Sequence, residues 1–475
     1  MDRFLAPLGA KAKAMASFFS SRSSSSLCRH VTTRLLYHGH HAKTGHQRLS
    51  TTLFYRHQCR QYSTTPKKSD PLHILFCGSD KFSCASLRAL HVEHTQNPDL
   101  IRSIDVVVRP GKRTGRGQKI IRDPPIRSLA TSLGLQVHER DTFTGWDMPQ
   151  EINLIIAVSF GLFVPPRLLQ KAKYGGLNIH PSLLPDLRGP APLQHALLAR
   201  YALTGVSLQT LDDKAFDHGI ILAQTPSDPE DRNALHIPAS ITTTAALQAL
   251  VTPAASSLLI KGLRANLHVP PLEAKKQQRD PSKPLLHAPK ITTQDRQLTL
   301  SLLRTIDAET SNPSNGQGTL ARRQDAIGRL WFLARNRQGQ VKRVMIQTIT
   351  ELPGLSPANR PGMISHKSSS DDNTTNTNTG TSTSHPQRTY EIPFLEQVDS
   401  DEQGSGSNTA TESSQKEDIN LVFWEDPDTA ARIPGQLARG DAGLLNLGNY
   451  CVHNLQVEGE REKPAWIALR QFTAC

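Results

Sequence analysis

Three polar side chains near the middle of the chain could together support acyl transfer: Asn178, His180 and Asp217. Asn178 and His180 are two residues apart on a predicted strand, so their side chains share one face of it. Asp217 follows the next predicted strand and precedes Gly219, which predicts a loop at the same end of the sheet. An amide can stabilise an oxyanion, and an imidazole beside a carboxylate can hold or move a proton. These residue types meet the needs of an amine that attacks a carbonyl carbon.

The same triplet has a simpler interpretation. The chain contains 19 histidines, so an Asn-x-His sequence is expected somewhere by chance. A histidine at the end of a strand also often pairs with an aspartate for structural reasons alone. Residue types and spacing therefore leave two alternatives open, a catalytic group and a structural pair.

Strands and helices must alternate to place these side chains together. Apolar runs predict strands, and apolar residues at helical spacing predict helices between them. The predicted strands are 73–78, 104–108, 152–161, 177–180 and 206–212. The predicted helices lie at 81–90, 125–134, 164–173, 241–250 and 253–265. This order predicts an α/β catalytic domain at 70–265, with a Rossmann-like, mostly parallel sheet whose carboxyl edge binds ligands.

Beyond residue 265 the pattern changes. The stretch 266–288 is rich in Pro and Lys, which predicts a linker between domains. Residues 289–475 contain short strand-like runs separated by Gly, Asn and Asp, which predict a small antiparallel, OB-like β-barrel. Two polar stretches interrupt it at 365–387 and 399–418, and their composition predicts disordered insertions.

The formal charge of +13 is concentrated at the start of the chain. Residues 1–62 hold ten of the 55 Lys and Arg residues but one of the 42 acidic residues, Asp2. This Arg- and Ser-rich composition predicts a transit peptide and a location in the mitochondrial matrix; a basic tail without targeting function is the alternative. We expect no membrane segment, because no apolar run approaches the roughly 18–20 residues of a membrane helix. The six cysteines form no CxxC pair, and we expect no metal site.

A longer motif around the triplet resembles the formyltetrahydrofolate-dependent formyltransferase family. Its Asn-x-His-x-Ser-Leu-Leu-Pro, Arg-Gly-x-x-Pro and Asp-x-Gly elements occur here at 178–185, 188–192 and 217–219. The resemblance implies that Asn178, His180 and Asp217 are catalytic and that 10-formyltetrahydrofolate is the co-substrate, with no metal. It also implies that the folate site is bordered by Ser182, Leu183, Leu184 and Pro185. Asp186-Leu187 departs from the Arg-Trp that is more usual in the family.

A glycine-rich basic loop at 107–126 bears on which acceptor the chain uses. It contains six basic residues and one acidic residue, Asp123. Such a loop suits phosphates or an RNA end, although a solvated surface loop has the same composition. Residues 115–119, Gly-Arg-Gly-Gln-Lys, resemble the loop of the tRNA-formylating members. That resemblance implies contacts with initiator methionyl-tRNA through Arg113, Arg116 and Lys119, a C-terminal barrel that binds tRNA, and a monomeric enzyme.

Two other functions stay open at this point. One is a formyltransferase or hydrolase that acts on a small molecule with the same catalytic core, which would need neither the basic loop nor the barrel. The other is a mitochondrial RNA-binding protein without catalytic activity. The intact Asn178, His180 and Asp217 argue against the latter.

Overall fold

The computed structural model describes residues 67–228, 230–275, 284–309, 319–352, 363–366, 389–395, 419–425 and 444–473. The predicted transit peptide at 1–62 lies outside these residues. So does the predicted insertion at 399–418, and all of the one at 365–387 except its first two residues, which belong to a strand.

The N-terminal part of the described chain is an α/β domain. Its strands are β1 (Leu72–Gly78), β2 (Ile101–Val108), β3 (Lys112–Thr114), β4 (Ile120–Arg122), β5 (Gln136–Glu139), β6 (Leu154–Val158), β7 (Gly176–His180), β8 (Leu203–Thr204), β9 (Ser207–Thr210), β10 (Ile221–Gln224) and β11 (Leu235–His236). Its helices are α1 (Lys81–Gln96), α2 (Pro125–Ser132), α3 (Pro166–Lys171), α4 (Pro192–Leu198) and α5 (Thr244–Arg264), with a 3₁₀ turn at Arg116–Gln118.

The central sheet has the order β10-β9-β7-β6-β1-β2-β5. Its strands are parallel from β7 to β5, whereas β9 runs antiparallel to β7 and β10 antiparallel to β9. Side chains alternate across the sheet, so Ile74 and Phe76 enter one apolar core and Leu75 and Cys77 another. The sheet is therefore covered on both faces, which confirms the predicted mostly parallel α/β fold.

Helix α5 is one continuous helix, so the prediction of two helices at 241–250 and 253–265 was wrong. Pro253 lies within it and removes one helical hydrogen bond. The helix continues because a row of side chains four residues apart is buried in the first core: Leu247, Val251, Ala255, Leu259 and Leu263. Among the described residues, α5 is the helix whose length and composition alone would suit a membrane span, and this row packs it into the domain instead.

The C-terminal part forms a closed antiparallel barrel, as predicted. Its strands are β12 (Trp331–Arg335), β13 (Val341–Glu351), β14 (Ile364–His366), β15 (Thr389–Leu395), β16 (Ile419–Trp424), β17 (Leu445–Leu447), β18 (Tyr450–Val457) and β19 (Lys463–Pro464). Helices α6 (Leu300–Glu309), α7 (Leu320–Ile327) and α8 (Ala465–Leu469) and a 3₁₀ turn at Gln294–Arg296 accompany them. Closure follows the path β13-β12-β15-β16-β17-β18, because β18 also pairs with β13.

The two parts pack against each other as well as being connected through the chain. Helix α7 contributes Ala326 and Ile327 to the core of the α/β domain and Leu320 to the core of the barrel. Part of the predicted linker at 266–288 also returns to the α/β domain, where Ala288 is fully buried. The end of this stretch is thus packed structure, because its backbone pairs with a loop that follows β7.

Candidate active site

The carboxyl end of β7 brings together the three residues predicted from the sequence. Leu177 and Ile179 are buried on one face of β7, so alternation places Asn178 and His180 on the other. Asp217 lies in the loop between β9 and β10 with a φ of +58°. This loop lies against β9 at Gly219, where an added Cβ would overlap the backbone carbonyl of Thr210. Glycine at this position therefore allows the close approach.

One carboxylate oxygen of Asp217 is contacted by three other side chains of the site. Oδ1 of Asp217 accepts hydrogen bonds from Nδ2 of Asn178 and Nε2 of Gln209, each at 3.1 Å. Nδ1 of His180 lies 3.4 Å from the same oxygen. Burial opposes ionisation, but His180, the backbone amide of Gly189 and Gln209 together hold the pKa of Asp217 below its usual value. Asp217 is thus held as a carboxylate whose side chain is 12% exposed.

The imidazole of His180 lies between two acceptors. Its Nε2 is 3.1 Å from the backbone oxygen of Leu187, while Nδ1 faces Asp217. The side chain is only 6% exposed. Each ring nitrogen therefore faces an oxygen acceptor. The ring is fixed in position from both sides.

The loop predicted to border folate is held by a buried polar network. Ser182 Oγ donates to the backbone oxygen of Asp186 at 2.7 Å. Ser207 Oγ donates to the backbone oxygen of Ser182 at 2.7 Å and accepts from the amide of Leu184 at 3.0 Å. The side chains of Ser182 and Leu184 are buried, whereas Leu183 and Pro185 are half-buried. Leu183 and Pro185 are therefore the residues of the Ser182–Pro185 loop that retain exposed surface.

An aromatic pair that the sequence analysis missed flanks Asp217. The rings of Phe163 and Phe216 meet edge to face with their centroids 5.3 Å apart. Phe216 directly precedes Asp217 and is 59% exposed. Phe163 follows β6, the strand next to β7. A large exposed apolar group at this edge offers a surface for a flat ring.

The basic loop forms a hairpin after β2, at the same edge of the sheet. Strands β3 and β4 pair antiparallel, with Arg113 opposite Ile121. Arg109 is bound to Asp141 at 2.6 Å. Four cationic side chains on this hairpin are exposed: Lys112, Arg113, Lys119 and Arg122. The side chain of Arg116 lies outside the described residues. The hairpin therefore presents a positive surface at the same edge of the sheet as the site.

No group of His, Cys, Asp and Glu residues in the part of the chain that the structure describes has the geometry to hold a metal ion. The site as described offers amide, imidazole and carboxylate groups.

Comparison with known sequences identifies the α/β domain. Residues 72–232 match the sequence model of a family described as formyl transferase. This segment is therefore similar to formyl transferases. Every site residue predicted from the sequence lies within the domain, including the basic loop.

Proteins similar to this part of the chain occur in fungi, animals and bacteria. Methionyl-tRNA formyltransferase, mitochondrial, of Saccharomyces cerevisiae is 38% identical over 188 residues, 35% of this chain and 47% of the relative. The Homo sapiens protein of the same name is 31% identical over 230 residues, 48% of this chain and 52% of the relative. Methionyl-tRNA formyltransferase of Ehrlichia ruminantium (strain Gardel) is 35% identical over 158 residues, 32% of this chain and 50% of the relative. The chain thus matches about half the length of these relatives.

Besides the aromatic pair, the sequence analysis missed three polar contributors to the site: Gln209, the carbonyl of Leu187 and the amide of Gly189. Gln209 lies in the predicted strand 206–212, but its residue type did not single it out, because Ser207 and Thr210 in the same strand are also polar. The two backbone groups carry no signal in their residue types. They reach the site because the loop after β7 folds back over it.

Proposed function

We propose that this chain transfers the formyl group of 10-formyltetrahydrofolate to the α-amine of methionyl-tRNA, which makes initiator formylmethionyl-tRNA for mitochondrial translation. The observation that carries this proposal is the meeting of Asn178, His180 and Asp217 at the carboxyl edge of a domain similar to formyl transferases. The names of the relatives support the choice of methionyl-tRNA as acceptor.

In the proposed reaction the amine attacks the formyl carbon and a new C–N bond forms. Asn178 uses one amide hydrogen on Asp217, so its second hydrogen is free to stabilise the oxyanion. His180, protonated and oriented by Asp217, adds positive charge beside it. Collapse of the intermediate breaks the bond between the formyl carbon and folate nitrogen. The amine loses one proton and the folate nitrogen gains one, through His180 or a bound water.

The folate is proposed to lie between the loop after β7 and the aromatic pair. Leu183 and Pro185 supply half-buried apolar surface on one side. Phe163 and Phe216 supply an aromatic surface on the other, next to Asp217. A pteridine is a flat ring with polar edges, so apolar walls with a carboxylate nearby suit it. Ser182 and Leu184 would then act by holding the loop in shape.

The acceptor end of methionyl-tRNA is proposed to meet the β3–β4 hairpin. Its exposed cations suit the phosphates of an RNA end, and we assign Arg113, Arg116 and Lys119 this role. The barrel is proposed as a second RNA-binding surface, since α7 packs it against the α/β domain. We expect the chain to act as a monomer without a metal.

We place the protein in the mitochondrial matrix. The support is the acid-poor, basic composition of residues 1–62 and the mitochondrial relatives. A chain that starts at Ser63 should keep its activity but fail to enter mitochondria. Mitochondrial accumulation of that shortened chain would contradict the targeting role.

Competition between two acceptors tests the proposed function. Formyl transfer from 10-formyltetrahydrofolate is measured with methionyl-tRNA and glycinamide ribonucleotide present together. We expect the formyl group on methionyl-tRNA alone. Transfer to the small molecule, or release of free formate, would instead support an enzyme that acts on small molecules.

A further inference from the structure

Residues 286–288, which follow the α/β domain in sequence, form a returning segment against the loop at 186–191. Leu187 donates its amide to the backbone oxygen of Leu286 at 2.8 Å. Ala288 donates its amide to the backbone oxygen of Arg188 at 2.8 Å and accepts from the amide of Ala191 at 3.1 Å. The loop is thus held along its length by a segment outside the matched residues 72–232.

The same loop carries two of the groups that fix the candidate active site. The backbone oxygen of Leu187 lies against Nε2 of His180 at 3.1 Å, and the backbone amide of Gly189 helps to hold the pKa of Asp217 below its usual value. Leu187 has a φ of +55°, which is uncommon for a leucine and persists only where surrounding contacts hold it. The hydrogen bond between Leu187 and Leu286 is such a contact.

Asp186 joins the loop to the returning segment through its side chain. Its Oδ1 accepts from the amide of Leu286 at 2.9 Å, and its Oδ2 accepts from the hydroxyl of Tyr201 at 2.7 Å. Gly189 completes the fit, because an added Cβ would lie 2.5 Å from the backbone oxygen of Ala288. Asp186 thus binds the returning segment, and Gly189 leaves room for it.

We propose that the returning segment positions the active site and that Asp186 is a positioning residue for His180 and Asp217. The inference rests on the proposed function for its kinetic consequence. It assigns a role to the residue that departs from the Arg usual at position 186: here a carboxylate anchors a backbone amide located 100 residues further along the chain. Complete positioning of the catalytic groups therefore requires chain beyond the matched residues 72–232.

Substitution of Asp186 in the full chain tests this role. D186A removes both acceptors, so we expect kcat to fall about ten- to a hundredfold, the range for small misplacements of catalytic groups. The Kd for 10-formyltetrahydrofolate should change little. D186N should recover most of the loss, because its side-chain oxygen still accepts from Leu286. D213A, an exposed aspartate in the loop that carries Asp217, is the matched control and should keep wild-type kcat.

Hydrogen exchange of the backbone amides gives a readout that does not depend on activity. In D186A the amides of Leu187 and Ala191 should exchange faster, while those of β1 keep their protection. A288P, which removes the amide donated to Arg188, should have the same effect. L285P introduces a proline just outside the returning segment. It should leave the exchange of the Leu187 and Ala191 amides unchanged.

These results separate the inference from the proposed function. Wild-type kcat in D186A, or unchanged exchange at Leu187 and Ala191 in both D186A and A288P, would overturn the positioning role. If D186A is unstable, the comparison of A288P with L285P decides in the same way. A wild-type chain without formyl transfer would contradict the proposed function, and exchange would still show whether the returning segment holds the loop.

Discussion

Gln209 donates its side-chain amide to Oδ1 of Asp217 at 3.1 Å. The pairing of β7 and β9 places Gln209 directly opposite Asn178, so both amides reach the same oxygen. Gln209 is 1% exposed, and a buried donor of this kind fixes both the orientation and the charge of its acceptor. The carboxylate thus depends on a residue from a neighbouring strand as well as on His180.

Replacing Gln209 with Leu should shift the pH dependence of turnover. The pKa of Asp217 is lower in the folded chain than in the unfolded chain. The stabilisation from this carboxylate is therefore present above the unfolded pKa and is lost as pH falls through the folded pKa. Q209L removes one donor to the carboxylate, so the pKa of Asp217 should rise. The acidic limb of kcat/KM against pH should then move to higher pH. Q136L, at an exposed site on β5, is the matched control, and an unmoved limb in Q209L would show that the hydrogen bond is unimportant.

Removing the catalytic groups should reduce turnover far more than stability. We expect H180A and D217N each to lower kcat by roughly two to four orders of magnitude. N178A should lower it about 10²–10³-fold through loss of the oxyanion donor. Single-turnover rates and thermal unfolding of the same samples check this. D213N, on the same loop as Asp217, should retain wild-type turnover, and near-normal turnover in H180A would mean that the site is wrongly placed.

The basic hairpin should contribute to binding of tRNA but not to binding of folate. R113A, R116A and K119A should each raise KM for methionyl-tRNA and make it less sensitive to salt, because each removes a contact with phosphate. The Kd for 10-formyltetrahydrofolate should stay unchanged. R102A removes an exposed cation near the opposite end of β2 and serves as the control. Equal KM values for the hairpin variants and R102A would leave the hairpin as a solvated surface.

Arg264 should stabilise the α/β domain through Glu93. Two nitrogens of Arg264 bind the carboxylate, at 2.9 and 2.6 Å, and the Glu93 side chain is only 3% exposed. The hydrogen bonds from Arg264 lower the pKa of Glu93, so their contribution is present above the pKa of unfolded glutamate and is lost as pH falls through the folded value. R264A should therefore lower the urea midpoint at pH 7, and less so at acidic pH. R102A provides the comparison, and a difference that is independent of pH would contradict the role of Glu93.

The sequence predicted the parts of the fold whose signals are local. The runs that form β1, β6 and the end of β2 are apolar and short, and α2 begins with Pro, so pattern and composition suffice. Strand β5 was missed because its four residues, Gln136–Glu139, are mostly polar and lie at the edge of the sheet. Helix α5 was split in the prediction because burial of its apolar row, which outweighs Pro253, is a tertiary effect.

The candidate site was predictable in its residue types but not in its supports. Asn178, His180 and Asp217 stand in a motif that can be read directly. The contact of Gln209 depends on strand register, and the contact of Asp186 with Leu286 joins residues 100 positions apart. No local pattern encodes either. The stretch 266–288 has the composition of a linker, yet its last residues form backbone hydrogen bonds with the loop at 186–191.

Direct measurement of the product tests the central claim. The chain from Ser63 onward is mixed with formyl-labelled 10-formyltetrahydrofolate and methionyl-tRNA, and the amino acid released from the tRNA is identified by mass spectrometry. The account predicts labelled N-formylmethionine with the wild-type chain and with D213N, and a loss of roughly two to four orders of magnitude in its rate of formation with D217N. Unmodified methionine from the wild-type reaction, or equal rates for D217N and D213N, would contradict it.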